Sequence, residues 1–361
     1  MDTPCLLIEE PIMRANLAQM AAQCNANGCA LRPHIKTHKS VALARIQEEY
    51  GINGITISKL REGEIMAEAG FTDLFMAYPI VGREKIQRAG ALAKKVRLIL
   101  SVDSIEGAKA LNEGAEHMGV SFEVRLEIDT GMGRSGVLLE QAVPLAKAVS
   151  TLPHLRLTGI STYRNMIYHG QPHSDRMLCG QEEVKIMVSL QKELLREGIE
   201  IREVSTGSTA TAVPCAAVGG ITEVRPGTYI FYDRMQEEKG ACTPDMFAAF
   251  VETTVISVKG NLVVIDAGTK SISTDCPGVA PHSFSGFGRV IGHDQLLLDF
   301  MTEEHGMLTN HNPHDCIRVG DRLRIIPNHI CTTVNMYDQA YLFNDGLAVC
   351  TIQIDARGAN Y

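Results

Sequence analysis

The sequence predicts an α/β protein, made of a TIM (β/α)8 barrel and a second, antiparallel β domain. Short apolar runs rich in β-branched residues alternate with segments of helical period, and glycines mark the joins between them. Eight such strand-helix units across roughly 200 residues match a TIM barrel. After about Asp245 the helical periodicity disappears and alternating runs take over, which predicts the antiparallel domain.

The predicted barrel strands follow a first strand at Cys5–Glu9 and a helix that opens at Pro11. A doubly wound sheet is the alternative, but it would have a Gly-x-Gly-x-x-Gly fingerprint after its first strand, where this chain has Lys36. The eight barrel strands are predicted at Ala30–Ile35, Ile55–Ser58, Leu74–Tyr78, Arg97–Val102, Phe122–Ile128, Leu155–Ile160, Ile201–Ser205 and Thr222–Arg225. The helices between them are predicted at Glu62–Ala69, Glu84–Lys95, Ile105–His117, Ala142–Thr151 and Glu182–Glu197.

The predicted domain boundaries assign residues 10–245 to the barrel and residues 1–9 with 246–361 to the β domain. Gly260-Asn261, between two alternating runs, is a hairpin-turn signal. The strands of the β domain are predicted at Val251–Val258, Leu262–Ile265, Arg289–Ile291, Leu296–Phe300, Arg322–Ile326 and Leu347–Ile354, with Cys5–Glu9 completing the sheet.

The composition is that of an ordinary globular protein, with 45% apolar and 21% charged residues. The net charge of −8 argues against a nucleic-acid partner and offers no basic patch for a membrane. No apolar run has transmembrane length, so a cytoplasmic protein is expected. The ten cysteines form no Cys-x-x-Cys pair and lie in apolar contexts, which indicates mostly buried, reduced thiols.

Lys36 is the leading candidate for chemistry, in the stretch Arg32-Pro33-His34-Ile35-Lys36-Thr37-His38-Lys39. A side chain at the carboxyl end of a barrel strand lies at the active-site face. The like charges of Arg32 and Lys39 and partial burial would lower the pKa of a lysine and make its amine nucleophilic. Such an amine can form a Schiff base with a carbonyl of a substrate or of pyridoxal phosphate. A solvated basic loop is the alternative.

Two loops after the seventh and eighth predicted strands have the residues of a phosphate site. Small hydroxyl residues around Gly207 can offer backbone N–H and side-chain O–H groups, and Gly227 lets the backbone approach a phosphate closely. Phosphate sites after strands seven and eight recur in TIM barrels. The residues concerned are Gly207, Ser208, Thr209, Gly227, Thr228 and Tyr229.

The lysine stretch resembles the lysine motif of the D-threonine aldolase and D-serine dehydratase-like family, which are fold-type III pyridoxal phosphate enzymes distantly similar to alanine racemase. The resemblance covers nearly the whole chain through several motifs in the same order. They are Asp2-Thr3-Pro4, Ala77-Tyr78-Pro79-Ile80-Val81-Gly82, Asp129-Thr130-Gly131-Met132-Gly133-Arg134-Ser135-Gly136, Arg225-Pro226-Gly227-Thr228-Tyr229, Glu303-Glu304-His305-Gly306 and Pro327-Asn328-His329-Ile330-Cys331.

The resemblance implies a role for individual residues of this chain. Lys36, rather than Lys39, would carry pyridoxal phosphate, and Arg134 would lie near the Schiff base and the phenolic oxygen of the cofactor. Tyr163 would lie beside the cofactor ring, and His169 near the substrate, where it could transfer a proton. Arg225 matches the arginine that faces the pyridine nitrogen in alanine racemase.

His329 and Cys331 form the candidate metal pair. Residues at i and i+2 of an extended strand point to one face, as two ligands of one metal must. Their borderline softness suits zinc, and manganese is the alternative. The resemblance implies that this pair is the metal site of the family, with remaining coordination positions for water or substrate.

The resulting hypothesis is a pyridoxal phosphate- and metal-dependent lyase acting on a small D-3-hydroxy amino acid. The preferred reaction is that of a D-threonine aldolase, retro-aldol cleavage to glycine and an aldehyde. The alternatives are a D-serine or 3-hydroxy-D-aspartate dehydratase, which acts as an ammonia-lyase, and an amino-acid racemase. The resemblance also implies a homodimer.

Overall fold

The structure, a computed structural model, describes residues 1–275, 285–312, 316–344 and 346–361. The chain divides into two compact units. The barrel unit comprises Gln19–Lys36, Ile46–Gly227 and Ala359–Tyr361, and the β unit comprises Met1–Ala18, Thr37–Arg45 and Thr228–Gly358. Over the described ranges, no helix has both the length and the apolar character needed to cross a membrane.

The strands of the structure are β1 (Cys5–Glu9), β2 (Ala30–Leu31), β3 (Ile55–Ile57), β4 (Asp73–Pro79), β5 (Arg97–Val102), β6 (Phe122–Asp129), β7 (Val137–Leu138), β8 (Leu155–Ser161), β9 (Ile167–Tyr168), β10 (Gln171–Pro172), β11 (Glu203–Thr206), β12 (Glu223–Val224), β13 (Ala249–Lys259), β14 (Leu262–Ile265), β15 (Gly288–Val290), β16 (Leu296–Met301), β17 (Gly306–Asn310), β18 (Arg322–Pro327), β19 (Gln339–Asn344) and β20 (Leu347–Gln353). The α-helices are α1 (Glu10–Ala26), α2 (Val41–Glu48), α3 (Leu60–Glu68), α4 (Arg83–Ala93), α5 (Ile105–Met118), α6 (Leu139–Ser150), α7 (Arg176–Arg196), α8 (Ala212–Val218), α9 (Arg234–Glu238) and α10 (Ile330–Val334).

The barrel unit contains a parallel sheet of eight strands in the order β2-β12-β11-β8-β6-β5-β4-β3, and β7 pairs with β6. A parallel bridge between His34 and Thr56 links the chain after β2 to β3 at the other end of that order. Because the strands are parallel, the loops that follow them all emerge at one end of the sheet. The prediction of a TIM-like barrel with a second antiparallel domain is confirmed.

The first barrel strand is shorter than predicted. β2 ends at Leu31, whereas the sequence predicted a strand through Ile35, and Lys36 lies in a 3-10 turn, Ile35–Thr37. Pro33 explains the early end, because proline has no N–H to donate to a sheet ladder. The chain still follows β12 on either side of it, since the N–H of Arg32 donates to Val224 O at 3.0 Å and that of His34 donates to Pro226 O at 2.9 Å.

The helices around the barrel follow from local capping signals. The helix predicted at Ile105–His117 is α5, whose first turn is capped by Ser104 Oγ, which accepts from Gly107 N–H. Its end is set by Gly119, which adopts the left-handed conformation at φ +62°. The helix predicted from Glu182 begins earlier, at Arg176, because Asp175 caps the N–H groups of Met177 and Leu178.

A network of charged side chains connects the barrel strands. The carboxylate of Glu223 accepts from Arg125 Nη1 at 2.5 Å, from Arg32 Nε at 2.8 Å and from Ser205 Oγ at 2.6 Å. Arg125 also binds Glu203, which connects β6 to β11 and β12. Burial alone would raise the pKa of Glu223, but the charges of Arg125 and Arg32 outweigh it and lower that pKa far below 4.5.

Glu223→Gln is expected to lower the free energy of unfolding by about 3–5 kcal/mol, because it leaves buried guanidinium charge without its partner. A group with a depressed pKa stabilises the fold above its unfolded pKa and loses that effect as pH falls. Urea unfolding of the wild type should therefore show stability falling below about pH 4.5, and the variant should show a weaker fall. Glu200→Gln, at a side chain 68% exposed, is the control and should change stability by less than about 0.5 kcal/mol. Equal stability of the two variants would contradict the assigned role of Glu223.

The sheet of the β unit has nine strands in the order β14-β17-β16-β15-β18-β13-β1-β19-β20, and β14 also pairs with β13. Six of these strands thus form a closed antiparallel ring, around a core that includes Val251, Ile265, Leu298 and Ile325. The predicted hairpin at Gly260-Asn261 is confirmed, since Lys259 pairs with Leu262. The expected participation of Cys5–Glu9 is also confirmed, by antiparallel pairing with β13.

The sequence missed β17, β19 and the short helix α10 in this unit. The prediction that His329 and Cys331 lie on one strand is wrong. His329 has extended backbone angles but is the N-cap residue of α10, and Cys331 lies in the first turn of that helix. The helix begins there because Asp233 Oδ2 accepts the Ile330 N–H at 3.0 Å, a contact across 97 residues that local periodicity cannot reveal.

Six of the nine described cysteines are buried, as expected. Cys316 and Cys350 are exposed, and Cys331 is half-buried. No disulfide joins any two of these nine cysteines, which agrees with the prediction of reduced cysteines, and Cys276 lies outside the described residues.

Candidate active site

Lys36, Tyr163 and Arg134 come together at the carboxyl end of the barrel strands. The Nζ atom of Lys36 lies 5.8 Å from the centroid of the Tyr163 ring, and the Arg134 guanidinium lies 4.9 Å from it. Lys36 and Arg134 are exposed, while Tyr163 is half-buried. The ring thus has two cations within contact distance, one of them the primary amine that the sequence singled out.

His34 contacts the backbone of Lys36, and its role was not predicted from the sequence. Its Nδ1 accepts from the Lys36 N–H at 3.5 Å, and its Nε2 lies 3.3 Å from Ser58 Oγ. Burial, followed by the positive charges of Lys36 and Arg225, lowers the pKa of His34 well below 6.5. A neutral imidazole therefore supports the turn that carries Lys36.

Arg225 is buried inside the barrel. Its Nη2 donates to Thr162 O at 2.6 Å, its Nη1 donates to Ser205 Oγ, and the guanidinium lies 5.4 Å from the centroid of the Phe75 ring. Burial lowers the pKa of Arg225 to about 10. These contacts hold the guanidinium in one orientation, as a group that faces a cofactor ring requires.

Glu127 is a buried carboxyl in the same part of the barrel, and the sequence analysis did not single it out. Its Oε1 accepts from Ser135 Oγ at 2.6 Å, and its Oε2 has no hydrogen-bond partner among the described residues. Burial raises the pKa of Glu127, against the opposing charges of Arg134 and Arg225. The Glu127 carboxyl therefore interacts electrostatically with the Arg134 guanidinium.

The loop after β11 is already hydrogen-bonded within the protein. Gly207, at φ +79°, donates its N–H to Glu183 Oε1 at 2.9 Å, and the Ser208 N–H donates to Thr211 Oγ1 at 3.0 Å. Thr209 Oγ1 accepts from the Gly227 N–H at 3.2 Å, which joins the two loops that the sequence predicted to form one site. Thr209 Oγ1 accepts in this contact and keeps its own O–H as a donor for a phosphate. In the β unit, Thr228 and Tyr229 are buried in a 3-10 turn, Thr228–Ile230.

His169 is bound to Glu182 on the surface of the barrel unit. Its Nδ1 lies 2.8 Å from Glu182 Oε1, its backbone N–H donates to Glu182 Oε2 at 2.9 Å, and its side chain is 73% exposed. Glu182 also binds the buried Arg164. His169 lines a surface cleft of about 480 Å³ with Tyr168, and neither Lys36, Arg134 nor Tyr163 is among the residues that line it. Among the described residues, the structure thus does not bring His169 into contact with Lys36, Arg134 or Tyr163.

His329 and Cys331 face one another in the β unit. Burial alone would lower the pKa of His329, but Cys331 and then Asp233 outweigh it and raise that pKa to about 10. Burial alone would raise the pKa of Cys331, but the facing His329 lowers it instead. Two hydroxyl groups flank the thiol, with Thr37 Oγ1 at 3.2 Å and Thr228 Oγ1 at 3.7 Å from Sγ.

A set of polar side chains surrounds the His329 ring, and sequence spacing gave no sign of it. His329 Nδ1 lies 2.7 Å from Asp275 Oδ2, and Thr332 Oγ1 lies 2.8 Å from the same oxygen. Within the described ranges, no three His, Cys, Asp or Glu residues are arranged to hold a metal ion. The imidazole of His329 and the thiol of Cys331 fit as ligands of an open zinc site whose other positions are completed by water or substrate.

The fold and these residues define a class. Residues 8–235 match the family described as the alanine racemase N-terminal domain, and residues 248–343 match the putative serine dehydratase domain. The chain therefore belongs to the alanine racemase N-terminal domain family, within its D-threonine aldolase and D-serine dehydratase-like branch. The homologues are pyridoxal phosphate-dependent lyases, so the expected class of enzyme is confirmed.

Individual relatives match along almost the whole chain. D-threo-3-hydroxyaspartate dehydratase of Delftia sp. is 32% identical over 92% of this chain and 92% of its own. D-threonine aldolase of Arthrobacter sp. is 29% identical over 99% of this chain and 93% of its own. The solved structure of the Delftia dehydratase superposes with a TM-score of 0.91 at 31% identity, over 98% of this chain and 97% of that one. A cysteine-to-alanine mutant of that dehydratase has been solved in a metal-free form.

The residues present fit pyridoxal phosphate. Lys36 supplies a primary amine beside an aromatic ring, Arg134 and Arg225 supply guanidinium groups, and Thr209 supplies a hydroxyl where the two loops meet. This is the donor set that an aldehyde, a phenolate and a phosphate on one aromatic ring require. The roles of these residues remain predictions.

Proposed function

We propose that this chain is a D-threonine aldolase-like lyase that cleaves D-3-hydroxy amino acids to glycine and an aldehyde. The observation that supports this reaction over a racemase is the facing pair His329 and Cys331, since a racemase has no use for a metal pair. A divalent metal on that pair, zinc or manganese, would act as a Lewis acid for a hydroxyl group of the substrate.

Bound pyridoxal phosphate would supply an electron sink for the charge left when a bond to Cα breaks. Lys36 would hold the cofactor by its amine, and Arg134 would stabilise negative charge on the phenolic oxygen. Tyr163 would pack beside the ring, and Arg225 would face the pyridine nitrogen. The phosphate would be bound by Gly207, Ser208, Thr209, Gly227, Thr228 and Tyr229.

We propose that His169 accepts the hydroxyl proton in the aldolase reaction. The contact between its Nδ1 and Glu182 supports this role, because it directs Nε2 away from Glu182 as the nitrogen that can take up a proton. The His169 side chain lies exposed on the surface, so it would have to move towards the substrate when the substrate binds.

The dehydratase is the second candidate, and Cys331 favours it. In that reaction a base, the freed Lys36 amine, would remove the α-proton, and the metal would assist departure of hydroxide. The products would be a keto acid and ammonia. A cysteine-to-alanine mutant of a D-threo-3-hydroxyaspartate dehydratase has been solved in the metal-free form, which supports a metal-binding role for Cys331 in this chain.

Product analysis separates the two reactions. Purified protein is incubated with D-threonine, pyridoxal phosphate and Zn²⁺ or Mn²⁺, with Lys36→Ala as the blank. We expect glycine and acetaldehyde in equal amounts. Oxobutanoate and ammonia would instead establish the dehydratase. Neither pair of products, from protein that retains cofactor, would exclude D-threonine, and D-serine and 3-hydroxy-D-aspartate would then be tested before racemisation of D-alanine.

We also propose a cytoplasmic homodimer. The free cysteines of the described chain are compatible with a reducing compartment, and the dimer rests on the family resemblance. Light scattering on the purified protein would show one species of twice the chain mass, and a monomer would contradict the dimer.

A further inference from the structure

A cluster of hydrogen-bonded polar side chains surrounds the ring of His329. Asp275 Oδ2 lies 2.7 Å from His329 Nδ1 and 2.8 Å from Thr332 Oγ1. Thr332 Oγ1 also lies 2.7 Å from Ser273 Oγ, which accepts the Asp275 N–H at 3.0 Å. The Asp275 carboxylate is therefore held from two sides before it contacts the imidazole.

The chemistry of the ring gives this contact a direction. An imidazole that binds a metal is neutral, with one N–H and one lone pair, and an ionised carboxylate can only accept. Nδ1 beside Asp275 must then carry the proton, which leaves the lone pair on Nε2. Nε2 is on the opposite side of the ring from Nδ1, and the ring also interacts with the thiol of Cys331 and with the charge of Asp233.

The backbone between the two ligands is fixed separately from the ring. Asp233 Oδ2 accepts the Ile330 N–H at 3.0 Å and is itself buried. Asp233 thus sets the position of the helix that carries Cys331, whereas Asp275 sets the rotation and tautomer of the His329 side chain. The two carboxylates therefore have different tasks, because Asp275 contacts the His329 ring at Nδ1 and Asp233 contacts the backbone at Ile330.

We propose that Asp275, held in place by Thr332 and Ser273, is a positioning residue that presents Nε2 of His329 to a divalent metal. The proposal rests on the proposed metal site at His329 and Cys331. Carboxylates that accept the second N–H of a metal-binding histidine typically contribute about 10–100-fold to metal affinity. Asp275 was not expected from the sequence, because 54 residues separate it from His329.

The test is a zinc titration of the cofactor-loaded protein against a chromophoric chelator, for the wild type and three variants. Asp275→Ala is expected to weaken zinc binding about 10–100-fold. Asp275→Asn, whose amide oxygen can still accept the N–H, should weaken it less. Asp294→Ala removes an exposed carboxylate of the same unit and should leave affinity unchanged.

Cobalt substitution gives a readout that a merely structural role would not change. Asp275→Ala at saturating Co²⁺ should keep the thiolate-to-cobalt charge-transfer band, because Cys331 still binds. Thermal unfolding of the metal-free proteins should show that Asp275→Ala is folded, and Thr332→Val, which loses only the hydroxyl, serves in its place if it is not. Thr332→Val should weaken zinc binding several-fold.

The outcomes separate the two proposals. If the wild type binds no metal, the proposed metal site fails and this inference fails with it. If the wild type binds zinc, Cys331→Ala abolishes binding and Asp275→Ala binds as the wild type does, only the role of Asp275 is overturned. Complete loss of zinc and of the cobalt band in folded Asp275→Ala would make Asp275 a ligand, which also overturns the positioning role.

Discussion

Lys36→Ala is expected to abolish turnover and retention of pyridoxal phosphate together. The Lys36 amine lies 5.8 Å from the Tyr163 ring centroid, where it can form the covalent bond that holds the cofactor. Alanine removes the reacting atom itself, so kcat should fall by about 10⁴-fold or more, the scale seen when a catalytic nucleophile is deleted. Absorbance of the cofactor after gel filtration and product formation from D-threonine measure the two losses.

A matched pair of arginine variants identifies which lysine is responsible. Lys36→Arg and Lys39→Arg both keep the positive charge, but arginine cannot form a Schiff base under these conditions because its guanidinium stays protonated. We expect Lys36→Arg to lose the cofactor absorbance and Lys39→Arg to keep it. If Lys39→Arg loses the cofactor absorbance and Lys36→Arg keeps it, Lys39 carries the cofactor and the assignment to Lys36 is wrong.

Cys331→Ala is expected to remove the metal and with it most of the activity. Cys331 is one of the two proposed ligands, so the variant removes the proposed thiolate donor and leaves His329. The metal content after dialysis, measured by elemental analysis, should fall from about one metal ion per chain to a trace, as expected for an open site that loses one of its few protein ligands. Activity should fall in proportion and should not recover in excess pyridoxal phosphate.

Two further variants test the chemistry of the pair. Cys350→Ala removes an exposed thiol of the same unit and should retain full metal content and activity. Cys331→Asp replaces a soft ligand by a hard one, so we expect the preference to shift from Zn²⁺ towards Mn²⁺. An active, metal-loaded Cys331→Ala protein would contradict the assignment of Cys331 as a ligand.

The barrel could be predicted closely because its signals are local. β5 spans the predicted Arg97–Val102, and α5 begins at the predicted Ile105, since apolar period and a serine cap lie within a few residues of each element. The position of Lys36 at the active-site end of the sheet followed from the same pattern. Its 3-10 turn did not, because the turn depends on where Pro33 interrupts the ladder with β12.

The sequence predicted His329 and Cys331 as a metal pair on one strand, and that local structure is wrong. His329 and Cys331 do face one another, but from a helix start rather than a strand. The reason is Asp233, whose carboxylate caps the Ile330 N–H from 97 residues away. The contact of His169 with Glu182 was not predicted at all, because nothing in the sequence around either residue indicates the other.

The sequence by itself determined the barrel, the antiparallel second domain, the position of Lys36 and the family, because periodicity, turn residues and ordered motifs are all written along the chain. Only the tertiary structure decided the groups that act on those residues. Asp275 beside His329, the neutral His34 beneath Lys36 and the buried Glu127 near Arg134 each depend on a contact or on burial that the fold creates. Desolvation and the approach of distant charges set their protonation, and neither quantity exists before the chain has folded.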